Sequence, residues 1–325
     1  MSSLRQVSQD KISIALCTYN GEQFLSRQLA SIQQQTRAPD ELIVCDDCST
    51  DRTLEILHDF AASAAFPVRI TRNEHNLGFV ANFERAIQLC RGDLVALCDQ
   101  DDIWYPIRLE RALQEFTAHP EVGFVFSDAD IIDQQDQLTG MRLWTSFGFV
   151  GQRKEQMSRG DYTVLAKNRF VTGATVMFRT CLRQNCLPVG SGWLHDEWLV
   201  ATSAAIADVR LIDSPLICYR QHASQQIGLS PPPSFQERNR RHWTELARQI
   251  GLLEEICTRL SRQSLTQPGE ALYSCYQDHL RFARFRYALP QSRLRRLSAM
   301  LHEYPAYSAL GSGLRSMATD LVLSR

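Results

Sequence analysis

Three carboxylates close an apolar run in the stretch LVALCDQDDIWYP, Leu94 to Pro106: Asp99, Asp101 and Asp102. Like charges this close oppose each other's ionisation and resist leaving water. Solvation or a shared cation makes them tolerable. An Asp-x-Asp pair at a strand end can direct its oxygens toward one hard ion. Mg²⁺ or Mn²⁺ takes such ligands and keeps positions for phosphate oxygens and water. A diphosphate leaving group needs that counter-charge. Asp102 is different, being placed to cap a following helix. A second acidic pair, Asp46-Asp47, closes ELIVC, and the polar run Thr18-Tyr19-Asn20 closes ISIALC. Cys45-x-x-Cys48 has metal-like spacing, but no second Cys/His pair lies nearby in sequence, which argues against zinc.

The elements that must position these groups are legible from periodicity. Strands are expected at Ile12–Cys17, Glu41–Cys45, FPVRITRN, DLVALC and VGFVFSD. Between them lie helical patterns: Phe24, Leu25, Leu29 and Ile32; Leu54, Leu57 and Phe60; Phe79, Phe83, Ala86 and Ile87; Leu109, Ala112, Leu113 and Phe116. Ser49 or Thr50 is the expected N-cap of the second helix. Alternation at this spacing predicts an α/β fold with a mostly parallel sheet and helices on both faces. Ligands of such sheets bind outside the carboxyl ends of the strands. Thr18-Tyr19-Asn20, Asp46-Asp47 and Asp99-Gln100-Asp101-Asp102 all sit at such ends, so three strands deliver them to one rim.

The second half is less regular. VTGATVMFR (Val171 to Arg179) reads as a strand, GWLHDEWLVATSAAIA as a loop entering a helix with Asp196 near its start, and VRLID and PLICYRQH as further strands. SPPPS, Ser230 to Ser234, reads as a linker. Beyond it Trp243, Leu246, Ile250, Leu253, Cys257 and Leu260 step by threes and fours, as in a helical hairpin or a dimer seam. The expected organisation is a tail over 1–11, a main domain over 12–229 and a helical region over 230–325.

Hydrophobic residues make up 44% of the 325, enough for a sizeable core. The net charge of −1 is unevenly placed. From Ser234 onward, 14 Arg, no Lys and 8 acidic residues give +6, leaving about −7 on the rest. An acidic body argues against a nucleic-acid binder overall, while a basic tail suits an anionic surface. The tail segment LRFARFRYALPQSRLRRLSAML, Leu280 to Leu301, mixes Arg with apolar residues as interfacial helices do. Met1 to Asp10 is polar, which predicts no secretory signal. No apolar run reaches the roughly 18 residues of a membrane span. The expected setting is cytoplasmic, with peripheral contact at the inner face of the membrane.

The segments SIALCTYNGEQFLSRQLASIQQQT, PDELIVCDDCSTDRT, NLGFVANFERAI and GDLVALCDQDDIWYPIRL resemble family 2 glycosyltransferases of the GT-A fold. The resemblance covers Ile12 to about Ile227. DQDDIW with NLGFVANFE is similar to the bacterial rhamnosyltransferase-like branch that builds cell-surface polysaccharides. The resemblance implies an inverting transfer from a nucleotide-sugar donor to a saccharide or lipid-linked acceptor. It implies that Thr18, Tyr19 and Glu22 hold the nucleoside, with Asn20 and Asp47 beside them. Asp46 would accept from a uracil or thymine imide. Asn76-Leu77-Gly78 would form a turn beside the nucleotide. Asp99 and Gln100 would lie by the ribose, and Asp101, with Asp99 and His222 of YRQH, would hold the metal. Phe83 stands where many relatives carry an Arg.

The same resemblance makes Asp196 of LHDEWLV the base that takes the acceptor hydroxyl proton, with Glu197 and then His195 as the other candidates. Thr172 and Gly173 would flank the acceptor. Trp104 and Trp193 are of a type that stacks on sugar faces. The expected donor is dTDP-rhamnose, with a UDP-hexose or UDP-N-acetylhexosamine as alternative. A nucleotidyltransferase would carry a basic phosphate loop after the first strand, and TYNGEQ contains no Lys or Arg. A non-catalytic sugar-nucleotide binder would bind donor without turnover.

Overall fold

The computed structural model describes residues 10–222, 235–311 and 313–323, with backbone alone at 235–241. The expected linker at Ser230–Ser234, and with it the boundary between main domain and helical region, lies outside the described residues, as does nearly all of the expected tail.

In chain order the first half runs β1 (Ile12–Thr18), α1 (Leu25–Gln33), β2 (Glu41–Asp46), α2 (Thr53–Ser63), β3 (Val68–Arg72), α3 (Phe79–Leu89), β4 (Leu94–Cys98), β5 (Ile103–Trp104) and α4 (Arg108–Ala118). Then follow β6 (Val122–Ile132), β7 (Leu138–Arg142), α5 (Leu143–Ser146), α6 (Gln152–Ser158), β8 (Val176–Arg179), α7 (Arg183–Cys186), α8 (His195–Ala204) and β9 (Asp208–Arg220). Helices α9 (Phe235–Leu260), α10 (Gln267–Tyr287), α11 (Arg293–His302), α12 (Tyr304–Leu310) and α13 (Leu314–Val322) complete the described chain.

The strands form one sheet in the order β3-β2-β1-β4-β8-β6-β9-β5, with β7 paired to β6. β3, β2, β1 and β4 are parallel neighbours. β8 then inserts antiparallel between β4 and β6, so β6 still points the same way as β4. β9 is parallel to β6 and β5 antiparallel to β9. The chain winds outward from β1 through β2 to β3, then returns to the other side of β1 as β4. The order therefore reverses between β1 and β4, and such a switch point opens a crevice beyond the carboxyl ends of the two strands. Thr18 and Asp99 stand there.

Alternate residues of the parallel strands feed two cores, as strand geometry demands. Ile14, Leu16, Val44 and Ala96 pack with α1 and α4 through Leu29, Ile32, Leu109 and Phe116. Ala15, Ile43, Val95 and Leu97 face the other way, toward Phe83 and Ile87 of α3 and Trp198 and Leu199 of α8. Leu246, Leu253 and Ile256 of α9 and Leu272 and Tyr276 of α10 belong to this second core. Trp243, Leu246, Leu253, Cys257 and Leu260 are all buried within the chain, which realises the hairpin rather than a dimer seam. A small third core joins Phe282, Leu289, Met300, Tyr307 and Met317. Beside it the fully buried Asp320 binds Arg286, His242 and Tyr307. Against the effect of burial, these partners hold its carboxyl down at about 2.

Local expectations fail at four places. Helix α2 starts at Thr53, and neither Ser49 nor Thr50 caps it, because Ser49 gives its hydroxyl to Asp46. Asp102 caps no helix: it precedes β5 and accepts the Arg220 backbone N–H at 3.0 Å. VTGATVMFR is strand only from Val176, since Gly173–Thr175 is a 3₁₀ turn. VRLID and PLICYRQH are one strand, β9, irregular where it passes Ser127–Ala129.

Candidate active site

The β1–α1 loop is zipped to its neighbours. Thr18 Oγ1 donates to Asp46 Oδ1 at 2.9 Å across the β1–β2 register. Asn20, at φ 48°, accepts the Thr50 N–H at 2.8 Å and donates its own N–H to Ser49. Asn tolerates this left-handed conformation better than most residues. Glu22 accepts the Arg52 N–H at 3.0 Å. Gln100 imitates a strand partner: its Oε1 accepts the Tyr19 N–H at 2.9 Å and its Nε2 donates to Tyr19 O at 3.0 Å. That ties the Asp99–Asp101 loop to the end of β1. Gly21 permits it, because a Cβ there would lie 2.3 Å from Gln100 Oε1.

The two residues of the second acidic pair have separate structural tasks. Asp46 has no exposed surface, and both its oxygens are engaged, by Thr18 Oγ1 and by the N–H and hydroxyl of Ser49. Binding a base imide with this carboxylate requires Ser49 to give way. Asp47 collects the N–H groups of Leu77 (2.7 Å) and Gly78 (2.9 Å) and the Asn73 amide. Asn76 adds its own bond to Gly78 N, and Gly78 takes φ 79°. The Asn76–Gly78 turn is thus pinned to the rim. Cys45 and Cys48 form no thiol pair: Cys48 Sγ donates to Asn73 O, and burial pushes the Cys45 thiol up to about 11.

The opening triplet separates into one structural acid and two at the rim. Asp102 is buried, and burial followed by Asp101 and Asp99 pushes its carboxyl well above the usual range. Two buried arginines that the sequence reading passed over hold this floor. Arg220, fully buried over the Phe24 ring at 4.5 Å, donates from Nε to the Asp101 carbonyl at 2.6 Å and from Nη1 to the Asp133 carbonyl. Arg108 donates to Leu97 O and lies 3.5 Å above the Trp104 ring, with burial drawing its pKa to about 10. An Arg beside His222 in YRQH was the available signal for the first. Nothing local marks the second.

Asp99 is half-buried, and its carboxyl is pushed up to about 7 by burial, then by Asp101, then by Asp196. Asp101 Oδ2 lies 2.9 Å from His222 Nε2. Tyr219 was also missed. Burial and then Asp102, Asp99, Asp101 and Asp196 raise its phenol.

Asp196 reaches this group from α8. Its Oδ2 accepts the Gly173 N–H at 3.0 Å and its Oδ1 the Glu197 N–H at 2.8 Å. The N-cap is Leu194, so Asp196 lies inside the first turn. Gly173 is required, because a Cβ there would come 2.7 Å from His195 Nε2. Thr172 precedes it, half-buried.

Two acceptor-side expectations, for Trp104 and His195, are corrected. Trp104 is 2% exposed, in β5 beneath Arg108, and presents no face to a sugar. His195 is buried, stacked on Phe83 with ring centres 4.2 Å apart, and burial lowers its pKa, so it is a neutral wall. Phe83 is therefore a packing partner of His195. Glu197 pairs with Arg169 at 2.9 Å, and burial raises it to about 7. Trp193 donates to Leu252 O and packs on Trp198.

Asp99, Asp101 and His222 are of the ligand types that a divalent ion takes. Asp101 and His222 already share one contact, and Asp99 is charge-strained beside them. Among the described residues no group of three or more His, Cys, Asp or Glu side chains is arranged to hold a metal ion.

A sheet reversing at β1/β4, with an acidic loop at that point, is the architecture of GT-A glycosyltransferases. It superposes on Staphylococcus aureus TarS bound to UDP-GlcNAc with a TM-score of 0.55, at 18% identity, over 94% of this chain and 92% of that one. It also matches a Pyrobaculum calidifontis mannosyltransferase bound to GDP-Man and Mn²⁺, with a TM-score of 0.53 at 16% identity, over 97% and 86%. At such identities the likeness shows the fold alone. The profile of glycosyl transferase family 2 matches residues 13–180, and the chain belongs to that family. An uncharacterized protein of Mycobacterium tuberculosis is 27% identical over 215 residues, 65% of this chain, which spans 59% of that relative's length. The Escherichia coli UDP-Glc:α-D-GlcNAc-diphosphoundecaprenol β-1,3-glucosyltransferase WfgD is 27% identical over 217 residues, 66% of this chain and 78% of that protein.

Proposed function

We propose that this glycosyltransferase is inverting and metal-dependent. It moves a sugar from a nucleoside diphosphate to a saccharide or lipid-linked saccharide in cell-surface polysaccharide synthesis. The observation that carries the reading is the acidic loop after β4, where Asp101 meets His222 beside the β1/β4 switch point. Bound by Asp99, Asp101 and His222, a divalent ion would offset charge on the departing diphosphate. Tyr19, exposed, and the pinned Asn20, Glu22, Asp47, Asn76, Gly78 and Gln100 shape the nucleoside side. Thr18 and Asp46 brace it. Asp196, oriented by the Gly173 N–H, takes the proton of the attacking hydroxyl. dTDP-rhamnose is the first donor to test; UDP-hexoses and UDP-N-acetylhexosamines are the alternative, supported by the donor in WfgD's name.

Thermal unfolding with a panel of nucleotide sugars, with Mn²⁺ or with EDTA, tests this, since a ligand of the native state alone raises Tm. One donor class should stabilise the protein with metal, and Asp101→Ala should lose that metal-dependent part. Equal stabilisation in EDTA, or in Asp101→Ala, overturns the metal role.

A lipid-linked acceptor fits a peripheral membrane position at the cytoplasmic face. No helix among the described residues is long and apolar enough to cross a membrane. On α11, Leu294 (82% exposed), Leu297 and Leu301 form one outward stripe, while Arg296 and Met300 face the small third core. Arg293 and Arg295 flank that stripe. Apolar residues edged by Arg suit the headgroup region of an anionic leaflet.

A further inference from the structure

A cavity of about 200 Å³ lies beside the base, between the 165–171 segment, the first turn of α8 and the helices α9 and α10. Its lining includes Trp193, Glu197, Gln249, Leu252 and Tyr276. None of these sits on the donor side of the rim. The cavity nevertheless shares two segments with the candidate base. Glu197 follows Asp196 in α8, and Val171, also in the wall, leads through Thr172 to the Gly173 N–H that holds Asp196.

The lining has the two kinds of group that a pyranose needs. Aromatic carbon from Trp193 and Tyr276 can cover a C–H face, and the planar polar groups of Glu197 and Gln249 can meet ring hydroxyls. The Trp193 ring is anchored by its Nε1 bond to Leu252 O, 3.2 Å long. Glu197 is held against Arg169 and keeps 11% of its side chain exposed. We infer that this cavity is a saccharide subsite for the acceptor, holding the sugar behind the attacking hydroxyl, and that α9 and α10 therefore help choose the acceptor. The inference rests on the transferase reading for its biological meaning, but sugar binding in the cavity can be read without turnover.

The test is saturation-transfer NMR with the methyl α-glycosides of glucose, N-acetylglucosamine, galactose and rhamnose. Wild type and Gln249→Trp are compared, each also titrated with UDP and dTDP in Mn²⁺. Gln249 is exposed on α9, so a larger side chain fills the mouth with little effect on the core. At least one glycoside should bind wild type and bind Gln249→Trp at least tenfold more weakly, with nucleotide affinity and Tm unchanged. Trp193→Phe should weaken the same glycoside while leaving nucleotide binding intact. No glycoside binding to wild type, or equal binding to Gln249→Trp, overturns the subsite. Glycoside binding lost in Gln249→Trp, with no nucleotide binding to either protein, keeps the subsite and sinks the transferase reading instead.

Discussion

Asp99 hangs from β4, whose position beside β1 is fixed by five registered residue pairs, while Asp196 sits in a helix turn and is held by one N–H from a loop 23 residues earlier. Gln100 then locks the loop after Asp99 to Tyr19 through two bonds. On the acceptor side, the Gly173 turn that orients Asp196 rests on His195, a side chain with no hydrogen-bond partner among the described residues. The proposed donor side is thus organised by backbone register and the proposed acceptor side by packing. Substitutions should therefore divide the same way: changes at the acceptor side alter transfer without touching nucleotide affinity, and changes beneath the donor side alter stability first.

The largest expected effect tests that division directly. Asp196→Asn keeps an oxygen for the Gly173 N–H but cannot take a proton. Removing a positioned base commonly costs about 10²–10⁴-fold in rate. Transfer should fall by that order, with Mn²⁺-dependent nucleotide affinity unchanged by calorimetry. Full transfer would remove Asp196 as base, and lost nucleotide binding would show that the two sides are not separable.

Beneath the donor side, Arg220→Gln should act through stability. The guanidinium it removes is fully buried and serves the Asp101 and Asp133 carbonyls. Breaking a buried charge network commonly costs about 3–5 kcal/mol. Urea unfolding should show a loss of that order, with metal-dependent nucleotide binding weakened because the Asp101 loop loosens. A loss under about 1 kcal/mol would mean the neighbours absorb the change.

This contrast also explains what the sequence disclosed. The residues Thr18, Asp46 and Asp99 follow apolar runs whose alternation reads directly as strands, and parallel pairing then brings their ends together. Asp102 and Trp104 share that same stretch yet serve the interior, because β5 folds back to pair with β9, more than a hundred residues later. Pairing at that separation leaves no periodic signal. The insertion of β8 between β4 and β6 is equally silent. The Gly173 turn reads as strand because its neighbours are apolar, although Gly173–Thr175 is a 3₁₀ turn with no room for a Cβ beside His195. Asp196 was legible as a carboxylate entering a helix. That Glu197, its neighbour, faces a different cavity follows from helical rotation once the base is placed.

Glu197 gives a smaller and pH-dependent way to sharpen the comparison. Its carboxyl rises from an ordinary 4.5 to about 7, chiefly through burial. The unfolded chain releases this proton first, so the native state loses stability as pH climbs from about 4.5 to about 7 and levels off above. Glu197→Gln removes that loss and gives up an ion pair to an Arg that is 60% exposed, a contact worth little. The variant should melt above wild type at pH 8 and converge with it near pH 4. Parallel Tm–pH curves would show that Glu197 titrates normally.

The smallest effect on the folded state is expected on α11, which packs on the small third core. Leu294 is 82% and Leu301 60% exposed, so Leu294→Asp with Leu301→Asp should change stability by roughly 0.5 kcal/mol or less. The pair should nonetheless abolish co-sedimentation with vesicles containing anionic phosphatidylglycerol. Wild-type binding should weaken with added salt, because Arg293 and Arg295 contribute a screened attraction. Soluble acceptor analogues should be glycosylated at the wild-type rate by the double variant, and lipid-linked ones more slowly. That split separates a docking face from a misfolded helix: if both acceptors slow equally, α11 supports the catalytic fold and does not bring the enzyme to a bilayer.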